Sequence, residues 1–84
     1  MVSSYLTCRS LTYAQRVSRA LTTARIKNYI VRTPQNLNRE GCGYAVRIDE
    51  TNLTPAMGVL NTAQLPPKRV YISLGNGHFE EVDR

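Results

Sequence analysis

The apolar residues of this chain change their spacing along its length, and that change limits what it can fold into. Leu11, Ala14, Val17, Leu21 and Ala24 recur at intervals of three, three, four and three, which lays one apolar stripe along a helix. Just before them, residues Val2 to Cys8 read as a strand. There Leu6 and Cys8 point to one side, and Tyr5 and Thr7 to the other. A helical stripe and a strand face must bury each other within 84 residues. The expectation is a single α+β domain spanning residues 1–84.

The remaining elements follow from local signals. Ser10 or Thr12 opens the first helix, since Thr12-Tyr13-Ala14-Gln15 fits a capping box and Ser10 is an equally good cap. The helix should end near Arg25. Asn28 to Thr33 is rich in β-formers, and Pro34, Gln35, Asn36, Asn38 and Gly41 mark a loop after it. Gly43 to Ile48 forms a third strand, with Tyr44, Val46 and Ile48 on one face and Ala45 and Arg47 on the other. Thr54-Pro55 is a helix start, and Leu53, Met57, Leu60 and Gln64 trace its inner side. Gly58 weakens this helix by roughly 1 kcal/mol relative to alanine. Pro66 and Pro67 stop it. Arg69 to Leu74 is a fourth strand, Gly75-Asn76-Gly77 a turn, and His78 to Val82 a short returning strand.

The order strand, helix, strand, strand, helix, strand predicts a ferredoxin-like α/β plait (βαββαβ) with an extra C-terminal hairpin strand. Right-handed crossovers then put the first and third strands side by side and antiparallel in the centre. Cys8 closes the first and Cys42 precedes the third, so residues 34 positions apart should share one end of the sheet. The first helix begins there, and the loop between Arg32 and Arg39 lies there too.

Composition and charge narrow the function. The chain is 42 % hydrophobic and 20 % charged, ordinary for a globular fold. No apolar run approaches the ~20 residues of a membrane span, and the first residues lack the pattern of a signal peptide. The expected location is therefore the cytoplasm, where thiols stay reduced. Residues 1–47 carry eight basic residues against Glu40, whereas residues 48–84 carry three against five acids. A basic half attracts anions or acidic partners. It is also what an ordinary solvated surface carries.

The residue best suited to chemistry is Cys42. A helix N-terminus and nearby arginines favour a thiolate, here the start of the first helix together with Arg9, Arg32 and Arg39. Gly41 and Gly43 remove side chains that would crowd the sulfur, and with Ser10 they leave backbone amides to cradle an anion. A small buried hydrophobe beside a turn is the competing reading, because free cysteine is among the most buried residue types. Cys8 either packs or, if close enough, resolves an oxidised Cys42. His78 is expected far from Cys42, which removes a cysteine–histidine dyad. Cys8, Cys42 and His78 are too few for zinc, so no metal or cofactor is expected. Nor is independent turnover: the chain is not read as an enzyme.

Ser10, Thr33-Pro34, Cys42-Gly43 and Ala45 stand in an arrangement that resembles the selenium/sulfur carrier protein-like family. There a strand leads into a Ser-capped helix, a second strand runs into a proline, and a Cys-Gly pair opens an apolar strand. The resemblance covers roughly residues 4–48. It implies a cysteine that holds a persulfide or selenopersulfide and passes it between a donor and an acceptor protein. Cys42 and Gly43 carry over as site residues. After Ile48 the chain departs, with Pro55 and Gly58 in a short second helix and a Gly75-Asn76-Gly77 hairpin. The alternative is a small basic interaction or RNA-binding module with Cys42 structural. It would stack bases on an open sheet face bearing Tyr5, Ala45, Arg47 and Tyr71. A third reading is a structural or regulatory interaction module, with a homodimer through that face as one form of it.

Overall fold

The computed structural model describes residues 2–38 and 41–82. Its elements are β1 (Ser3–Cys8), α1 (Leu11–Thr23), β2 (Tyr29–Arg32), a 3₁₀ turn (Gln35–Leu37), β3 (Tyr44–Asp49), a second 3₁₀ turn (Glu50–Asn52), α2 (Leu53–Ala63), β4 (Arg69–Gly75) and β5 (His78–Glu81). Among the described residues this is an α+β fold with two α-helices and a five-stranded antiparallel sheet. The strands lie in the order β2-β3-β1-β4-β5. β1 and β3 are neighbours in the middle, as the crossover argument requires.

The core forms between one sheet face and the inner stripes of the helices. Leu6 and Cys8 of β1, Val46 and Ile48 of β3 and Val70 of β4 meet Ala14, Val17 and Leu21 of α1 and Ala56, Met57 and Leu60 of α2. The helical stripe is shorter than its spacing suggested. Leu11, the first helical residue, is 40 % exposed, and Ala24, the C-cap beyond the last turn, is also exposed. Ser10 is the N-cap, its Oγ accepting from the Tyr13 amide at 3.1 Å. α2 begins before Thr54, at Leu53, so Pro55 is the third helical residue. An amide at that position has no intrahelical acceptor, so its loss is harmless. Gln64 is not part of the inner side; it is exposed and left-handed.

Both helices end in the same way. Arg25 (φ 64°) and Gln64 (φ 58°) take the left-handed conformation. The Ile26 amide then bonds Leu21 O, and the Leu65 amide bonds Leu60 O, each at 2.9 Å. This is the Schellman arrangement, which brings the residue after the turn back onto the core. Leu21, Ile26, Leu60 and Leu65 all belong to that core. A side chain disfavours this backbone and glycine does not. Arg25→Gly and Gln64→Gly are each expected to stabilise the fold by about 0.5–1 kcal/mol, partly offset by a freer unfolded chain. Thermal melts should show this as a rise of a few degrees per variant.

Among the described residues the opposite sheet face carries no helix. One row of register partners crosses it, running Tyr29, Arg47, Tyr5, Tyr71 and Glu81. The Arg47 guanidinium lies 5.1 Å from the Tyr29 ring centre, and Tyr5 meets Phe79 edge-on at 5.5 Å. The face is less open than the alternation implied. Ala45 and Tyr71 at its centre are buried, since strands on both sides crowd them. Among the described residues no helix is long and apolar enough to cross a membrane.

Candidate functional site

The antiparallel pairing of β1 and β3 sets Cys8 opposite Tyr44, and Cys42 lies two residues before that tyrosine. Arg32, the last residue of β2, pairs with Tyr44 from the other side. Just beyond, the Thr33 amide donates to Gly43 O at 3.0 Å and closes the base of the intervening loop. One end of the sheet therefore gathers Cys8, Arg9, Ser10, Arg32, Gly41, Cys42 and Gly43, together with the start of α1. Arg39 lies outside the described residues. His78 opens β5, three strands from β3.

The two thiols sit in different surroundings. Cys8 is fully buried and part of the core, and its Sγ donates to Leu6 O at 3.5 Å. Burial pushes its thiol up to about 12, and the nearby Cys42 sulfur acts in the same direction. A thiol held neutral in this way is a poor nucleophile and a poor resolving partner. Cys42 is 3 % exposed, more enclosed than its glycine neighbours suggested. It is not part of the main core cluster. It occupies the centre of a three-residue turn, closed by the Gly43 amide bonding Gly41 O at 2.9 Å.

The cationic rim is arranged differently from the expectation. The Arg9 guanidinium lies 5.0 Å from the Tyr13 ring centre and that of Arg32 5.4 Å from Tyr44. Arg32 Nη1 also donates to Tyr44 Oη at 3.3 Å. Both charges are thus held on tyrosine faces at this end of the sheet. No hydrogen bond joins either of them to a thiol among the described residues.

The glycines also act for another reason than the one read from sequence. A Cβ at Gly41 or Gly43 would meet nothing within 4 Å, so neither is needed to make room. Gly41 is required for its backbone, at φ 74°. Gly41→Ala is expected to destabilise by about 1–2 kcal/mol. Gly43→Ala should stay within about 0.5 kcal/mol. Urea denaturation of the two variants separates these outcomes.

Two residues of the site carried no signal as site residues in the sequence. Leu37 anchors the 3₁₀ turn of the loop and is buried, which a loop rich in polar residues concealed. Thr33 is 8 % exposed, and its Oγ1 is buried without a hydrogen-bond partner among the described residues. It sits opposite Gly43, beside the turn that carries Cys42. A buried hydroxyl left without an acceptor is costly. Among the described residues no group of three or more histidines, cysteines or carboxylates is placed to hold a metal ion.

Fold and site together define a small α+β protein with a cysteine on a tight turn and a second thiol locked in the core. The chain belongs to the family described as "Putative Se/S carrier protein-like", whose model matches residues 3–72. The match includes both thiols and runs beyond Ile48 through α2 into β4, further than the motif-based resemblance. No curated protein and no solved structure matches the chain.

Proposed function

We propose that the chain carries sulfur or selenium on Cys42 and hands it to a partner protein, without turnover of its own. The observation that carries this reading is the asymmetry of the thiols in a member of a Se/S carrier-like family. Cys8 is held protonated in the core, while Cys42 sits on a glycine-flanked turn outside the main core cluster.

The chemistry is an exchange that needs no outside oxidant. The Cys42 thiolate attacks the outer sulfur of a donor persulfide. A new S–S bond forms at Cys42, the donor S–S bond breaks, and the donor leaves as a thiolate that takes up the proton. Delivery is the same step toward an acceptor thiol, and selenium replaces the outer sulfur in the selenium case. Because Cys42 is almost enclosed, loading requires the Gly41–Gly43 turn to open, and the Thr33–Gly43 bond ties that turn to the end of β2.

Further parts of the reading go with this. The order β2-β3-β1-β4 with both helices on one face supports a ferredoxin-like plait to which β5 is added. Two free thiols suit a reducing cytoplasm. The test is the intact mass after incubation with a persulfide donor, comparing the wild type with Cys42→Ser.

A further inference from the structure

A second site lies at the other end of β3, away from the thiols. Ser3, Lys27, Tyr29, Arg47, Asp49 and Asn52 line a cavity of about 550 Å³ there, which falls in the size range of small-ligand pockets. β3 runs from Tyr44, beside Cys42, to Asp49 in this cavity, so the length of a strand separates the two sites.

The lining is chemically specific. Lys27 and Arg47 have no ion-pair partner among the described residues, and both border the cavity. Tyr29 is 51 % exposed. Arg47 lies over one face of its ring, which leaves the ring free to stack further. Asp49 is ionised at neutral pH, because the Thr51 amide and hydroxyl both donate to it. Both of those bonds reach Oδ1, so Oδ2 remains free to accept among the described residues.

These groups select a ligand class. Two cations draw an anion. A carboxylate in the same cavity repels a bare anion but accepts from hydroxyl or amino groups. An exposed tyrosine ring takes a planar partner. A ligand carrying a phosphate, hydroxyl donors and a flat ring satisfies all three. We propose that this cavity binds a nucleoside phosphate, either free or as one unit of a single strand. The phosphate meets Lys27 and Arg47, the base stacks at Tyr29, and the sugar hydroxyls donate to Asp49.

Adenosine monophosphate is the probe, titrated into the full chain and followed by amide and side-chain NMR shifts. Saturable shifts centred on Lys27, Tyr29, Arg47 and Asp49 are expected. Arg47→Gln should weaken binding about tenfold or more, since it removes a charge-assisted contact worth over 1.4 kcal/mol. Cys42→Ser should bind as the wild type does, which keeps this result apart from the fate of the carrier reading. Inorganic phosphate should bind more weakly than the nucleotide. A short single-stranded oligoadenylate identifies the source: tighter binding, with shifts spreading to Tyr5 and Phe79, assigns a strand, and equal or weaker binding assigns the free nucleotide. Absence of saturable binding by either ligand overturns the proposal. So does unchanged affinity in folded Arg47→Gln, or inorganic phosphate binding as tightly as the nucleotide.

Discussion

Incubation with a small-molecule persulfide donor is expected to add the mass of one sulfur, about 32 Da, to the wild-type protein. The adduct should vanish on treatment with a thiol reductant and be absent from Cys42→Ser and Cys42→Ala. It should survive in Cys8→Ala. The contrast follows from the two environments. Attack on a donor sulfur requires a thiolate, and burial pushes Cys8 up to about 12. At neutral pH Cys8 therefore offers almost no nucleophile. A mass gain that persists in Cys42→Ser, or never appears in the wild type, rejects the carrier reading.

Alkaline pH is expected to unfold the protein early, with Cys8 as the main cause. The folded thiol loses its proton near 12, the unfolded one near its ordinary value of 9.0. Between these values the folded state holds a proton that the unfolded state has released. The stabilisation is complete below about pH 9 and declines as the pH rises toward 12. A difference of about three units corresponds to at most about 4 kcal/mol, a large part of the 5–15 kcal/mol that holds a typical domain together. Urea midpoints measured from pH 7.5 to 10.5 should fall steadily in the wild type above pH 9. In Cys8→Ala the starting stability is lower, since a fully buried side chain is truncated, but the curve should be much flatter. An unchanged slope in Cys8→Ala would place the alkaline sensitivity elsewhere.

Much of the thiol site was legible before any coordinates. The meeting of Cys8 with Cys42 follows from element order and crossover handedness, and the β1–β3 register bears it out. The capping role of Ser10 was one of two open choices, decided by its bond to Tyr13. The positions of the arginines on tyrosine rings were not legible. Arg9 finds Tyr13 within one helical turn, but Arg32 finds Tyr44 only through strand pairing. The burial of Cys42 was equally hidden. It depends on how the loop packs, with Leu37 turned inward from a polar stretch. The pocket at the far end of β3 joins Lys27 and Tyr29 to residues more than fifteen positions away, so no local pattern announces it.

The sequence alone determined the elements, their order and the two apolar faces, because spacing, caps and turn residues act within a few positions of one another. It also determined that the two sulfurs lie at one end of the sheet. Tertiary structure decided how enclosed each sulfur is, which buried hydroxyls lack a partner and which charges are held on aromatic rings. Those properties depend on solvent exclusion and on distances between strands, and they arise only when the sheet and helices close on one another.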